Sequence, residues 1–295
     1  MLEHLTTEKR NEKTMNLDSM SAQDFCLAMN GEDMEAILAV KREIPRIAEA
    51  IDLIAERKKR GGRLIYMGAG TSGRMGLLDA VECVPTFGVS PEEVVGLIAG
   101  GERAFVKAVE GAEDSVEMGA DDLKQLCVGE ADVVVGIAAS GRTPYVIGGL
   151  AYGNAQKAAT IAISCNKNAE ISKHANLAIE VEVGPEVLTG STRLKAGTAQ
   201  KVILNMISTG VMLQCGKVYK NLMVDVLMTN EKLRERGRRI VMQAAETEAN
   251  IADACLQQAG GRVKVAIVMA IADCSVKEAE ERLLKADGFV ERAVK

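Results

Sequence analysis

The residues of this chain best suited to chemistry lie in the stretch Gly184-Pro185-Glu186-Val187-Leu188-Thr189-Gly190-Ser191-Thr192-Arg193-Leu194-Lys195-Ala196-Gly197-Thr198-Ala199-Gln200-Lys201. Glycines and hydroxyls fill its first half, and a helical run follows. Glycine lets a backbone turn tightly and bring N–H groups close to a ligand. Ser191 and Thr192 add hydroxyl donors, and a helix N-terminus attracts an anion. Arg193 and Lys195 add positive charge. The chemistry implied is recognition of a phosphate without a metal. Two shorter stretches repeat the theme, Gly70-Thr71-Ser72-Gly73-Arg74 and Ser140-Gly141-Arg142-Thr143. Each hydroxyl alone suits a helix N-cap equally well. Their recurrence in similar loops favours a ligand site over repeated coincidence.

The stretch Gly68-Ala69-Gly70-Thr71-Ser72-Gly73 also fits the glycine pattern of dinucleotide-binding folds. The next apolar run ends in Gly100-Gly101 rather than in an acid suited to a ribose, which argues against that reading. The only histidines are His4 and His174, neither near the hydroxyl loops in sequence. A serine nucleophile with a histidine base is therefore disfavoured. His174 reads as a packing or surface residue. Two acids stand in suggestive places. Glu82 lies in the apolar Val81-Glu82-Cys83-Val84-Pro85, where burial would raise its pKa. Glu113, in Glu110-Gly111-Ala112-Glu113-Asp114-Ser115, opens a helical pattern that would help keep it ionised. By spacing alone, a solvated surface is the better reading for either.

Composition narrows the function classes. The 295 residues suffice for a substantial core, and a hydrophobic fraction of 47% is that of a globular protein. Aromatics make up 3% with no Trp, and the net charge is -5, which together disfavour a nucleic-acid surface. Seven cysteines without a CxxC pair, beside so few histidines, read as reduced core thiols of a cytoplasmic protein and not as a zinc site. No apolar run is long enough to cross a bilayer, and no secretory signal is visible.

The elements that must position these loops follow from hydrophobic period. Apolar residues recur at helical spacing from Met34 through Ile54, with Pro45 as a start or kink. Short apolar runs at 63–67, 94–99, 132–139, 160–164 and 177–181 read as buried strands. Helical patterns at 102–109, 115–127 and 143–157 lie between them, and a long one covers 196–215. Such alternation implies a parallel sheet covered by helices on both faces, a three-layer α/β/α arrangement. Ligands of such sheets bind at the carboxyl ends of strands, where the Ser72 and Ser140 loops fall. A basic helix over 230–243, with Lys232, Arg234, Arg236, Arg238 and Arg239, reads as a solvated face or subunit contact. Three short helices follow from about Glu246. The expected division is 1–53, 54–217 and 218–295.

In these motifs the chain resembles the N-acetylmuramic acid 6-phosphate etherases, proteins of the sugar isomerase (SIS) fold. The resemblance runs from Leu5-Thr6-Thr7-Glu8 through the three hydroxyl loops to Thr229-Asn230-Glu231-Lys232-Leu233-Arg234 and the helical tail, which is similar to a small UBA-like subdomain. The Gly-Pro-Glu stretch is shared with the glucokinase regulatory proteins, which are longer and carry a second SIS domain. The resemblance implies cleavage of the D-lactyl ether of N-acetylmuramic acid 6-phosphate in cell-wall sugar recycling. It implies a homodimer with shared sites and no cofactor or metal. It places the two acidic catalytic roles on Glu82 and Glu113. Glu113 is assigned as the base at C2, Glu82 as the acid for the leaving oxygen, and Lys195 as a candidate oxyanion donor at C1. A sugar-phosphate-sensing regulator and a phosphosugar isomerase are the alternatives.

Overall fold

The computed structural model describes residues 5–107, 109–228 and 230–295. His4 and Thr229, named above, lie outside the described residues. After three short 3-10 turns between Thr6 and Ser19 come helices α1 (Ala22–Arg42) and α2 (Ile44–Lys59). Ser21 caps α1 by accepting from Asp24 N, and Pro45 occupies the first turn of α2, where its missing N–H costs nothing.

The sheet then forms from five buried apolar runs: β1 (Leu64–Gly68), β2 (Val94–Ile98), β3 (Val133–Ala138), β4 (Ala159–Ser164) and β5 (Leu177–Glu180). Each expected strand is present, with ends shifted by about a residue. All pairs are parallel, in the order β2-β1-β3-β4-β5, and Leu64 pairs with both Val94 and Val133. From β1 the chain passes to one side for β2 and to the other for β3. The crevice between β1 and β3 is thus the switch point at which open α/β sheets hold ligands.

Helices cover both faces. Helix α3 (Gly70–Phe87) follows β1; the region 102–109, expected as a full helix, holds among its described residues only the single turn α4 (Arg103–Val106). Helices α5 (Val116–Gln125) and α6 (Pro144–Ala155) flank β3 in sequence, and α7 (Lys195–Gln214) follows the long loop after β5. On one face α6 packs so tightly that a Cβ on Gly136 of β3 would lie 2.6 Å from Val146. On the other, α3 sits over Tyr66 and Ile137, where a Cβ on Gly76 would lie 2.9 Å from Tyr66 Cβ. Helix α7 joins α3 on this side, because Asn205 Nδ2 donates to Asp79 Oδ1 at 2.6 Å and Ser208 to the same oxygen at 3.2 Å. Burial holds the Asp79 carboxyl above its usual range, against the pull of these hydrogen bonds.

The contacts form two units, Met1–Val81 with Pro91–Ser208, and Glu82–Ser90 with Thr209–Lys295. The first holds the sheet and the N-terminal helices. The second carries a two-stranded hairpin, β6 (Val218–Tyr219) and β7 (Leu222–Met223). Helices α8 (Glu231–Ala245), α9 (Ala249–Gln258), α10 (Val263–Ala272), α11 (Val276–Lys285) and the single turn α12 (Val290–Ala293) complete it. Helix α10 is apolar apart from Lys264, because α8, α9 and α11 surround it. No helix among the described residues is long and apolar enough to cross a membrane.

Candidate functional site

The first hydroxyl loop is built where β1 turns into α3. Gly70 takes a φ of +52° to make the turn. Gly73 then packs on the strand end so closely that a Cβ there would lie 2.6 Å from Gly68 O. Only glycine allows that approach, which explains the spacing of Gly68, Gly70 and Gly73 without a dinucleotide. Ser72 is buried, and its Oγ donates to Gln200 Oε1 of α7 at 3.0 Å. Arg74 does not stand free for an anion. Its guanidinium donates to Ala104 O and Phe105 O, each at 2.8 Å, and so ties the α4 turn to α3.

Between these elements lies a cleft of about 210 Å³, lined by Gly70, Arg74, Ala99, Ala104, Gly111 and Glu113 among others. Ala99 follows β2, so the cleft opens at the carboxyl ends of β1 and β2. Glu113 stands on a 3-10 turn, Ala112–Asp114, reached through Gly111 at a φ of +75°. Ser115 then caps α5 by accepting from Met118 N at 3.0 Å. Glu113 is therefore an exposed carboxylate at the entrance to α5, facing the β1 loop across the cleft.

The second loop leaves β3. Gly141 has a φ of +73°, and a Cβ there would meet Ala169 Cβ at 2.4 Å. Ser140 Oγ accepts from Arg142 N at 3.3 Å, and no side chain caps α6 at Thr143. Asn166, just after β4, donates from Nδ2 to Ala139 O at 3.1 Å and to Thr7 Oγ1 at 3.0 Å. Its Oδ1 accepts from Thr6 N at 2.8 Å. One asparagine thus pins the N-terminal segment beside the Ser140 loop.

The third loop corrects an expectation. The N-terminus of α7 is not open to an external anion. The Glu186 carboxylate accepts from Lys195 N at 2.8 Å and from Ala196 N at 3.0 Å, and Glu186 is fully buried. Burial raises the Glu186 pKa, with these backbone donors opposing. Gly197 N donates to Thr192 O at 3.0 Å and Thr198 N to Leu194 O at 2.8 Å, so the first turn is closed by the chain itself. Lys195 is likewise engaged. It is 2% exposed, and its Nζ lies 2.5 Å from Glu32 Oε2. As placed, it holds α1 and does not present its ammonium as a C1 oxyanion donor. Ser191 and Thr192 are half-buried, and Arg193 is exposed.

The first turns of α7 join these loops. A Cβ on Gly197 would lie 3.5 Å from the Thr71 methyl and 3.7 Å from Thr192 O. Gln200 reaches Ser72, while Cys165 Sγ lies 3.8 Å from Ala196 O. Cys165 N in turn donates to Ala139 O, next to Ser140, at 3.0 Å. Thr71, Ser72, Ser140 and Thr192 are thereby gathered at the carboxyl edge of β1, β3 and β4. Glu82 contradicts the burial expected of it. It is exposed in the second half of α3, among residues whose contacts belong to the second unit, and Val81 beside it is 58% exposed. His174 sits in the 3-10 turn Ile171–His174, 3.9 Å from Glu170, away from the hydroxyl loops in hydrogen bonding.

The sequence assigns no role to Glu32, Asn166, Glu186 or Gln200. Glu186 left one readable signal, a lone acid in the Gly-Pro-Glu turn nine residues before Lys195. The other three look like any polar residue of a helix or loop until their distant partners are known.

Comparison with known proteins agrees with this architecture. Residues 46–154 match the glucokinase regulatory protein N-terminal SIS domain, and residues 115–209 match the SIS domain. Three relatives bear the name N-acetylmuramic acid 6-phosphate etherase. That of Bacillus mycoides is 58% identical over 294 residues, covering 100% of both chains. That of Oenococcus oeni is 58% identical over 293 residues, covering 99% of each. That of Halalkalibacterium halodurans is 58% identical, covering 100% of this chain and 99% of its own. Among solved structures, a phosphoheptose isomerase from Francisella tularensis superposes with a TM-score of 0.51 at 15% identity. It covers 66% of this chain and all of its own, a likeness of fold.

Proposed function

The chain belongs to the N-acetylmuramic acid 6-phosphate etherases, and we propose that it works by elimination and hydration at the cleft carrying Glu113. It cleaves the D-lactyl ether of N-acetylmuramic acid 6-phosphate, leaving N-acetylglucosamine 6-phosphate and D-lactate. The reaction belongs to cell-wall amino-sugar recycling. The observation that carries the mechanism is the Glu113 carboxylate, lining a cleft at the mouth of β1 opposite Gly70. The phosphate is held by Thr71, Ser72, Ser140, Gly141, Thr143, Ser191 and Thr192, from loops that meet at α7. The occupied end of α7 leaves the N-terminal turns of α3 and α6 as the sources of backbone N–H.

An alkyl ether resists direct hydrolysis at neutral pH. In the open-chain sugar, C2–H stands next to the C1 aldehyde and is acidic. Glu113 takes that proton. The C3–O electrons leave with the lactyl oxygen, which Glu82 protonates. Water then adds to C3 of the unsaturated aldehyde, activated by the Glu82 carboxylate, and a proton returns to C2. Each carboxyl contributes about 10²–10⁴-fold as a positioned acid or base. Lyase chemistry of this kind asks only for proton transfers from this chain's own side chains.

Glu82 needs more than this chain alone provides, because it is exposed. Leu78 and Val81 on the same helix are 48% and 58% exposed. A second copy covering them would dry the surroundings of Glu82, and this supports a homodimer with shared sites. A cytoplasmic location fits a sugar phosphate as substrate. The decisive experiment incubates the protein with N-acetylmuramic acid 6-phosphate in deuterated water and separately in ¹⁸O-water. Lactate release with deuterium at C2 and ¹⁸O at C3 of the sugar is expected. Protium kept at C2, or ¹⁸O in lactate, overturns the mechanism. Binding without lactate release makes the chain a regulator instead.

A further inference from the structure

Ser72 and Gln200 form a pair whose hydrogen-bond accounting does not close. The Ser72 hydroxyl donates to Gln200 Oε1 at 3.0 Å. Gln200 is 1% exposed, and its Nε2 has no hydrogen-bond partner among the described residues. A buried amide donor without an acceptor costs its full desolvation. A serine hydroxyl has a single hydrogen, and one spent on Gln200 cannot go to a phosphate.

Turning the amide over frees the hydroxyl hydrogen and exchanges the orphan N–H for an orphan carbonyl oxygen. A primary amide is nearly symmetric in shape, so half a turn exchanges oxygen and nitrogen at little steric cost. Nε2 then donates to Ser72 Oγ, and the hydroxyl hydrogen is released towards the ligand side of the loop. Without an anion that hydrogen would have no acceptor, since Ser72 is only 7% exposed. With an anion present, the hydroxyl makes a charge-assisted bond, and the orphan becomes a carbonyl oxygen, which proteins tolerate better than a bare N–H.

We propose that Gln200 is a positioning residue for phosphate recognition, whose amide holds Ser72 Oγ in the relay Nε2–H···Oγ–H···O–P when the ligand is bound. The proposal rests on the reading that the hydroxyl loops hold the sugar 6-phosphate. It assigns a role to a buried helix residue that touches no substrate. It also explains why Ser72 faces inward in a site built from hydroxyls.

The test is a cycle of Gln200→Met, Ser72→Ala and the double variant in the intact protein. Binding of N-acetylglucosamine 6-phosphate is read by calorimetry, and kcat and KM by lactate release. Gln200→Met is expected to weaken binding and raise KM about tenfold, the worth of one hydrogen bond, with kcat nearly unchanged. In the Ser72→Ala background it should add nothing further, because the two act as one unit. In ¹⁵N-labelled parent protein, one Gln200 side-chain NH₂ proton should move downfield when the sugar phosphate is added. Independent, multiplying losses in the cycle, or a loss confined to kcat, overturn the proposal. So does an NH₂ signal unmoved at saturation, which decides the matter even if the Met variant fails to fold. Parent protein that releases no lactate defeats the reading of the site; an active parent with an unmoved signal defeats only the role of Gln200.

Discussion

Replacing Glu32 tests how the third loop is held. Glu32 is 5% exposed and receives three donors: Lys195 Nζ at 2.5 Å, Asn11 Nδ2 at 2.8 Å and Lys13 Nζ at 2.9 Å. Asn11 also donates to Pro185 O at 3.3 Å, and Thr14 Oγ1 donates to Val187 O at 2.9 Å. The carboxylate thus joins α1, the N-terminal segment and the loop before α7. Burial alone would raise its pKa, but the hydrogen bonds from Lys195, Lys13 and Asn11 outweigh it and hold the carboxyl down to about 2 from 4.5. A folded-state pKa below the unfolded one stabilises the protein fully above pH 4.5, and that stability is lost as pH falls through about 2. The shift corresponds to about 3 kcal/mol. Glu32→Ala goes further at pH 7, because it leaves the Lys195 ammonium buried and unpaired, at a cost of about 3–5 kcal/mol. Glu32→Leu combined with Lys195→Met leaves no orphan charge and should recover much of the loss. Lys13→Ala is the control; its side chain is 71% exposed, and about 0–1 kcal/mol is expected. Urea unfolding at pH 7, 4.5 and 3 measures all four. A Glu32→Ala midpoint equal to the parent's at pH 7, or a parent and variant that weaken in parallel between pH 4.5 and 3, would refute the reasoning.

Other outcomes follow from the same geometry. Glu186→Ala removes the acceptor of Lys195 N and Ala196 N, and should cost about 1–2 kcal/mol in thermal unfolding and raise KM, with Glu186→Gln recovering part of both. Glu113→Gln should abolish deuterium exchange at C2, because an amide cannot accept the proton. Glu82→Gln should slow ether cleavage more than exchange, since C2–H can be lost and regained without expelling lactate; equal loss of exchange in both variants would undo the division of roles. Sedimentation should show a dimer, and substitution of Leu78 and Val81 by serine should release monomers with little activity; an active monomer would exclude shared sites.

Much of the fold was legible because its signals are local. Strands such as Val133–Ala138 are short β-branched runs bounded by polar turns, and a sheet buried on both faces permits little else. The stop at Gly68 and the turn at Gly70 were readable for the same reason. The 102–109 region misled, because its apolar residues have helical spacing, yet Gly100, Gly101 and Gly111 all adopt positive φ around a single helical turn. Glu82 misled in another way. Apolar neighbours in sequence suggested burial, but Val81 and Glu82 are both exposed on α3.

The sequence by itself determined a parallel sheet, the hydroxyl loops at its carboxyl edge and the family to which the chain belongs. Those features reside in residue type and short spacing, and glycine conformation and hydrophobic period act within a few residues. Only the tertiary structure decided which polar groups are spent on the protein and which remain for a ligand. Lys195 is taken by Glu32, 163 residues away, and Arg74 by the carbonyl oxygens of Ala104 and Phe105. Glu186 occupies the helix terminus that, by spacing alone, the Gly-Pro-Glu stretch offers to a phosphate. A charge or hydroxyl is available only if no buried partner claims it, and the partner is fixed by packing across the fold, where sequence spacing carries no information.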